Sequence, residues 1–419
     1  MSKFTAVVLA AGRGTRMNSN LPKVVHKIFD KSMINYVLDC SSKAGSKKNI
    51  VVTGFKEDIV RDEIKSREDA IFVHQNKQLG TGHAASMALP HIEENDEVMI
   101  LYGDMPLITE ETLKNIYETH ISSNADLTLQ STYVENPFGY GRIVRKDGLI
   151  KRIVEQKDAT HKQQEIKEIN TGIYLFKAKA LKEAIEKMDK NNAQNELYLT
   201  DAVEILIKLG KRVLAVVSPN FKEFMGVNSR IELAAATKVM QIRINEKLML
   251  SGVTIVDPET TYISVSAKIG KDTIIMPSTV IAENCTIGEN CSIGPFAHLR
   301  AGTKISNNVR IGNFVETKNT TIGNGSKLSH LSYAGDAIIG DNVNYSCGSI
   351  TVNYDGKNKH TTQIEDNSFI GCNVNLIAPV TVSKNAFIAA GSTITEDVPE
   401  NALAIARERQ SIKQNWSVK

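Results

Sequence analysis

Large aliphatic residues return every six positions through the C-terminal part of the chain: Ile263, Ile269, Ile275, Ile281, Ile287, Ile293, Leu299, Ile305 and Ile311. Four residues after each stands a small or β-branched one: Ala267, Thr273, Thr279, Cys285, Cys291, Ala297, Thr303, Val309 and Val315. Glycine often follows the aliphatic position, as at Gly270, Gly288, Gly294 and Gly312. An amphipathic helix repeats near 3.6 residues and an ordinary strand every two. A period of six suits a chain that lays down a short flat strand, points one aliphatic side chain inward and turns a corner. Three such hexads complete a triangular coil, and coils stack at roughly 4.8 Å. The spacing predicts a parallel β-helix beginning near Val253.

The array stumbles in defined places. Ile311 to Ile322 and Leu328 to Ile339 each fall one residue short of two hexads. The rhythm lapses between Thr351 and Ile364, then resumes at Ile370, Leu376, Val382, Ile388 and Ile394. The surplus residues, Asn353-Tyr-Asp-Gly-Lys-Asn-Lys-His360, are polar and turn-rich, so they should leave the coil as an external loop. Such a loop on a rigid scaffold is either a site of function or a plain insertion, and spacing does not choose between them.

The first 225 or so residues alternate apolar strands with helical patterns. Strands are expected at Thr5–Ala10, Asn49–Thr53, Val98–Tyr102, Leu127–Tyr133, Ile173–Phe176 and Val213–Val217. Helices are expected at Ile34–Ala44, Thr81–Leu89, Leu113–His120, Ala180–Met188 and Leu199–Leu209. This alternation argues for a Rossmann-like α/β domain with a mostly parallel sheet covered on both faces. One long helix should follow from Ser229 to Leu250, stopped by Ser251-Gly252. The expected division is 1–228, a linker at 229–252, and 253–419.

Composition narrows the class without choosing within it. A net charge of +3 over 419 residues gives no reason to expect nucleic acid or an anionic membrane as partner. No apolar run approaches the ~20 residues of a membrane span, and the N-terminus lacks a signal-peptide pattern. Five scattered cysteines, without paired metal-ligand spacing, suggest a reduced, cytoplasmic protein. Cys285 and Cys291 hold the small inward position and should be core thiols.

Candidate chemistry sits at strand ends. The first strand runs into Ala10-Ala-Gly-Arg-Gly-Thr-Arg-Met17, a turn whose backbone N–H groups could approach phosphate. A dinucleotide fingerprint would need glycine where Met17 stands, and a Walker A loop would need Gly-Lys-Ser/Thr. Lys23 is a further phosphate contact or a surface lysine. Asp104 directly follows the strand Val98–Tyr102, where a carboxylate faces the ligand crevice of an α/β sheet or caps the next turn.

Leu9-Ala-Ala-Gly-Arg-Gly-Thr-Arg-Met17 with Leu21-Pro-Lys23 resembles the signature of the sugar-1-phosphate nucleotidyltransferases. The order continues through Gln75, Gln78-Leu-Gly-Thr-Gly-His-Ala84, Tyr102-Gly-Asp104, Gly139-Tyr-Gly-Arg142, Ile153-Val-Glu155, Ile169-Asn-Thr-Gly172 and Gly226-Val-Asn228. Joined to hexads carrying Gly294-Pro-Phe-Ala-His-Leu-Arg300 and His330-Leu-Ser-Tyr333, the chain is similar nearly throughout to one family of two-reaction enzymes. Its members are both N-acetylglucosamine-1-phosphate uridyltransferases and glucosamine-1-phosphate N-acetyltransferases, acting in cell-wall precursor synthesis. The resemblance implies a left-handed β-helix, a homotrimer, Mg²⁺, and UTP and acetyl-CoA as co-substrates.

Carried over by position, the resemblance implies that Leu9, Ala10, Ala11, Gly12, Gly14 and Arg16 form the nucleotide loop and that Lys23 meets phosphate. Gln75, Gly80 and Thr81 match uracil-recognising positions, with Tyr102 and Gly103 beside them. Asp104 and Asn228 match the Mg²⁺ ligands, and Gly141, Glu155 and Asn170 match sugar contacts. His330 matches the base of acetyl transfer, and Arg300, Lys318, Tyr333 and Asn344 match sugar-phosphate contacts. Cys347, Asn353, Tyr354, Cys372, Ala390 and Arg407 match acetyl-CoA positions. Read from spacing alone, an outward His330 is a solvated residue as readily as a base; Arg300, Lys318 and Tyr333 in flanking coils favour the base.

Two departures stand out. Cys347 and Cys372 replace residues that are small in the family, which bears on acetyl-CoA affinity. The stretch from Leu250 to Gly294 is about two coils shorter than the family implies, a loss of about 10 Å of rise before every acetyl-transfer motif. Competing readings are a single-activity nucleotidyltransferase with a structural or regulatory β-helix, and a trimeric scaffold with a degenerate N-terminal domain.

Overall fold

The computed structural model describes residues 4–417. The chain forms two units, Met1–Val239 and Met240–Lys419. In the first, strands β1 (Phe4–Leu9), β2 (Lys27–Ile28), β3 (Lys31–Ser32), β4 (Ser46–Thr53), β5 (Ala70–His74) and β6 (Glu97–Tyr102) are followed by β7 (Leu127–Tyr133), β8 (Arg142–Lys146), β9 (Leu149–Val154), β10 (Glu168–Lys177) and β11 (Val213–Ser218). The main sheet has the order β11-β7-β10-β6-β1-β4-β5, with β8 and β9 attached through β10. β1 pairs in parallel with β4 and β6, and β5 continues the parallel set. β10 runs antiparallel to both β6 and β7, so the sheet is mostly but not wholly parallel.

Alternate residues of β1 supply both layers of core. Val7 and Leu9 pack with Ala84, Ala85 and Leu199 on one face; Phe4, Ala6 and Val8 pack with Ile34, Val37 and Leu113 on the other. Burial on both sides is why the strand reads as one unbroken apolar run. The covering helices include α1 (Met33–Ala44), α2 (Glu57–Glu63), α3 (Thr81–Ala88), α4 (Glu110–Ser122), α6 (Ala178–Glu186) and α7 (Asp201–Lys208), while α5 (His161–Gln164) is a single turn with no buried residue. A final helix, α8, spans Arg230–Leu250.

All the expected strands and helices are present, with ends moved by a few residues. The expectation lacked β5, α2, α5, the short β2–β3 pair and the β8–β9 hairpin. β5 is an edge strand whose residues are only half-buried, which blurs its apolar signal. The hairpin did carry a signal: Asp147-Gly148 takes φ of 53° and 77° between two alternating runs, the geometry Asp-Gly supplies in a two-residue turn.

The second unit is a parallel β-helix of three faces. They hold nine, eight and seven strands, running from Thr254–Ile255 to Leu403–Ala404, from Tyr262–Ile263 to Thr393–Ile394, and from Lys268–Ile269 to Val380–Val382. Inward aliphatic residues stack upon one another, as Ile275 on Ile293 and Ile293 on Ile311. The small residues turn corners inside the coil: Thr279 and Thr303 are fully buried, and their hydroxyls donate to Met276 O at 2.8 Å and Arg300 O at 2.7 Å. Those contacts give each buried hydroxyl a carbonyl partner three residues back, so neither is left unpaired. Cys285 and Cys291 are buried at the same position, as expected.

The two short steps resolve into coils of 17 rather than 18 residues, with Thr317 and then Ala334 taking the inward place between the aliphatic rungs. Between Val352 and Thr362 the chain leaves the coil. The loop is closed at its neck by an antiparallel bridge between Tyr354 and Lys359 and by the His360 N–H donating to Asn353 O at 2.9 Å.

Ile338 and Ile339 test this geometry directly, being 50% and 1% exposed. Ile339→Ala should lower the unfolding free energy of the β-helix by about 2–5 kcal/mol. Ile338→Ala should change it by less than about 0.5 kcal/mol. Denaturant titration followed by circular dichroism would compare the two.

Candidate active sites

The C-terminal ends of β1 and β6 open onto a cavity of about 350 Å³ lined by Leu9, Ala10, Ala11, Gly12, Lys23, Gln75, Gly80, Thr81, Tyr102, Asp104 and Asn228. A second cavity of about 740 Å³ shares Thr81 and Tyr102 with it and adds Arg16, Glu155 and Asn170. Gly14, Gly103 and Gly141 line neither. A side chain at Gly14 would strike Lys23, one at Gly103 would press on Val24, and one at Gly141 would meet Ile153 beside Glu155. These glycines therefore shape the walls from behind.

Lys23 is part of the wall of the first cavity. Its ammonium forms an ion pair with Asp104 and donates to Asn228 Oδ1 at 2.8 Å. One carboxylate and one amide oxygen, from chain segments 124 residues apart, thus converge on a single cation. The Asn228 N–H donates to Glu232 at 2.6 Å, which fixes the turn into α8. Among the described residues no cluster of three or more His, Cys, Asp or Glu could hold a metal. A site built from two protein oxygens suits a cation that keeps its remaining positions for water and phosphate.

Gly80 precedes α3 with φ of 111°, and a Cβ there would come within 2.4 Å of Leu197 O. Only glycine brings the chain that close, and Thr81 opens the helix beside the cavity. Gln75 is buried, with Nε2 2.9 Å from His83 Nδ1. On the sugar side, Asn170 donates to Tyr174 Oη at 2.7 Å, and Glu155 accepts from the Thr200 hydroxyl at 3.1 Å. Burial raises the Glu155 carboxyl above its usual range, and the Tyr102 phenol is raised by burial and by the charges of Glu155 and Asp104. Glu196, Tyr198 and Thr200 also line these cavities. Sequence reasoning missed them because they precede α7 in an irregular segment with no motif spacing.

In the β-helix the candidate residues fall into two places. His330 is exposed and pairs in register with Asn313 on the preceding coil, its Nδ1 3.0 Å from Asn313 Oδ1. A Cβ at Gly312 would lie 1.8 Å from Ser329 O, so glycine is what lets these two coils meet beneath the histidine. The register Leu328↔Tyr345, Tyr345↔Ile370 and Ile370↔Ile388 carries the same column onward. Two residues beyond each of these inward rungs stand His330, Cys347, Cys372 and Ala390. The N–H of Asn373 donates to Cys347 O at 2.9 Å and that of Gly391 to Cys372 O at 2.8 Å, locking the rungs together. Arg407 lies against Gly391 at the end of this column.

The second place is cationic. Arg300 and Lys318 occupy equivalent positions on adjacent coils, and Lys359 from the external loop reaches Lys318. Contact with Lys359, by hydrogen bond and by charge, lowers the Lys318 amine below the ordinary lysine range, and Arg300 adds to it. Arg300 pairs with Glu316 at 2.8 Å, and Asn353 donates to Asp336 at 2.5 Å. Tyr333 lies on the same face, one rung above Glu316. Asn344 lies on another face, and Tyr354 is an exposed residue of the loop. Asn313 and Lys359 were missed from sequence, although the 17-residue coil could have placed Asn313 under His330.

Comparison with known proteins gives the class. Residues 5–222 match the model of the nucleotidyl transferase family, and residues 266–301 and 361–396 match that of the bacterial transferase hexapeptide repeat. A nucleotidyltransferase domain thus precedes a hexapeptide-repeat transferase domain in one chain. The curated relatives include the bifunctional protein GlmU of Clostridioides difficile (strain 630), 48% identical over 99% of this chain and 97% of that protein. Those of Geobacillus sp. (strain WCH70) and Thermosipho melanesiensis are 50% and 49% identical, covering 99% and 98% of this chain and 98% and 96% of theirs. The chain belongs to the bifunctional GlmU family. The first of these alignments runs to 447 positions against 419 residues, so at least 28 positions have no counterpart here.

Asp201, at the start of α7, is pushed up to about 6, first by burial and then by the charges of Asp189 and Glu155. The folded chain keeps this proton where the unfolded chain, with a carboxyl near 3.9, has lost it. Its contribution to stability is therefore present below about pH 4 and lost as the pH rises through about 6. Denaturant melts of Asp201→Asn should show the variant gaining stability relative to the parent chain between pH 4 and pH 7.

Proposed function

We propose that the chain makes UDP-N-acetylglucosamine by two reactions at two sites. Acetyl transfer from acetyl-CoA to glucosamine-1-phosphate takes place in the β-helix. Uridylyl transfer from UTP to N-acetylglucosamine-1-phosphate, with release of pyrophosphate, takes place in the α/β domain. The observation that carries this reading is the outer surface of the β-helix, which holds His330 backed by Asn313 at one place and three convergent cations at another, in a chain whose other domain is a nucleotidyltransferase.

For acetyl transfer, the hydrogen bond to Asn313 Oδ1 orients the imidazole. With Nδ1–H donating to that oxygen, Nε2 keeps its lone pair turned outward. There it accepts a proton from the sugar amine as the nitrogen attacks the thioester carbonyl. Arg300, Lys318 and Lys359 take the sugar phosphate; the like charges that crowd Lys318 are relieved when a dianion sits among them. Tyr333 and Asn344 complete the sugar-phosphate contacts. Cys347, Cys372, Ala390 and Arg407 line the path of acetyl-CoA, with Asn353 and Tyr354 at the loop.

For uridylyl transfer, Gly12, Gly14 and Arg16 cradle the nucleotide, and Gln75, Gly80 and Thr81 meet the uracil. Glu155, Asn170 and Gly141 orient the sugar. The two oxygens that enclose the Lys23 ammonium fit Mg²⁺, which Asp104 and Asn228 would hold. When bound, that ion offsets negative charge on the phosphates and the leaving pyrophosphate. Lys23 brings a second positive charge to the same corner. Catalysis here is positioning and charge neutralisation, with no protein nucleophile.

The domains are taken as 1–228 and 253–419, joined by the helix between. The protein is placed in the cytoplasm as a homotrimer; among the described residues no helix is long and apolar enough to cross a membrane. The missing alignment positions are assigned to the coils before Gly294, where they shorten the spacer and spare every site.

Asp104→Ala or Asn228→Ala should abolish uridylyl transfer and leave acetyl transfer nearly intact, measured separately with supplied intermediates. Wild-type uridylyl transfer at saturating UTP in either variant would refute the metal assignment. His330→Ala should lower acetyl transfer by ~10²–10⁴ and spare uridylyl transfer. An unchanged acetyl-transfer rate would leave a single-activity nucleotidyltransferase as the better account.

A further inference from the structure

Cys347 and Cys372 stand one rung apart in the column that begins at His330. Tyr345 and Ile370 are paired in register, and each cysteine follows two residues later, at the first position of the same tight turn. The next residues, Gly348 and Asn373, both take left-handed conformations, with φ of 75° and 54°. The two cysteines therefore hold matching backbone places on adjacent coils, joined by the Asn373 N–H donating to Cys347 O at 2.9 Å. Neighbouring coils are separated by about 4.8 Å, within the roughly 4.4–6.8 Å between Cα atoms that a disulfide spans. Both are free thiols; Cys372 is exposed and Cys347 partly so.

We propose that Cys347 and Cys372 form a thiol-modification site that a small-molecule disulfide oxidises to an intramolecular disulfide, shutting off acetyl transfer. The consequence for activity rests on the acetyltransferase reading above. The Cys372 thiolate, the more exposed, attacks one sulfur of the reagent; a mixed disulfide forms and one small thiol leaves. The Cys347 thiolate then attacks Sγ of Cys372, and the second small thiol leaves with the electron pair. The two cysteines lose two protons and two electrons, and the reagent is reduced to two thiols. The new bond ties two coils together on the wall beside His330.

The remaining cysteines serve as internal controls. Cys40, Cys285 and Cys291 are buried, and burial pushes Cys285 up to about 11 and raises Cys291, so little thiolate is available at the latter two.

The test uses the full-length, fully reduced chain incubated with glutathione disulfide, followed by intact mass, peptide mapping and both activity assays. The expected product has lost two hydrogens, contains a Cys347–Cys372 linked peptide, has lost acetyl transfer and retains uridylyl transfer. Dithiothreitol should restore it. Cys347→Ser should stop at a glutathione adduct on Cys372. The proposal is overturned if the linked peptide does not form, if the three buried cysteines react instead, or if the linked form still acetylates at the reduced rate. Mass decides the thiol pair separately from the underlying reading. A reduced chain that never acetylates would overturn the acetyltransferase reading and with it the switch, while the linked peptide alone would still show whether the pair reacts.

Discussion

Parallel pairing in register is the constraint on which both units depend. A parallel ladder sets equivalent residues of neighbouring strands side by side at about 4.8 Å, so whatever occupies one position is repeated as a column. Inside the β-helix the column is Ile275, Ile293 and Ile311, a continuous apolar stack. Outside it, the same rule brings Asn313 under His330 and Arg300 beside Lys318. A coil may lose one residue, as between Lys304 and Thr321, or gain a loop, as between Asn344 and Phe369, provided register is recovered on the next rung. The scaffold therefore tolerates changes of length between sites better than a slip within one.

The same constraint places the nucleotide cavity. β4, β1 and β6 run side by side in one direction, so their C-terminal ends share one edge of the sheet. The loops that leave this edge carry Ala10–Gly12 and Gly103-Asp104, and they meet Lys23 and Asn228 there. A carboxylate on that edge faces ligand because the chain must turn back toward a helix only after it has passed the crevice.

Much of this was legible in one dimension. The hexad named its own fold, because neither a helix nor an ordinary strand repeats every six residues and because the repeat resumes after two shortened coils in which Thr317 and Ala334 take the inward place. The α/β alternation was legible for strands buried on both faces, such as β1, and failed at β5, whose side chains are half-exposed. The sites divided in the same way. Asp104 could be named from its place directly after a buried strand, and Glu155 from the resemblance of its motif to the family. Asn313, Lys359 and Thr200 could not, because each matters through a neighbour from another rung or segment. Cys347 and Cys372 illustrate the point: 25 positions apart in sequence, they become neighbours only when the external loop is removed from the count.

The account's central claim is that one polypeptide carries a sugar phosphate through both reactions. The direct measurement supplies the purified chain with glucosamine-1-phosphate, Mg²⁺, UTP and acetyl-CoA labelled in the acetyl group, and follows products by mass. Labelled N-acetylglucosamine-1-phosphate should appear first and labelled UDP-N-acetylglucosamine after it, with pyrophosphate released in equal amount to the second product. If no label enters any sugar while supplied N-acetylglucosamine-1-phosphate is still converted to its UDP derivative, the β-helix is not an acetyltransferase and the claim is wrong.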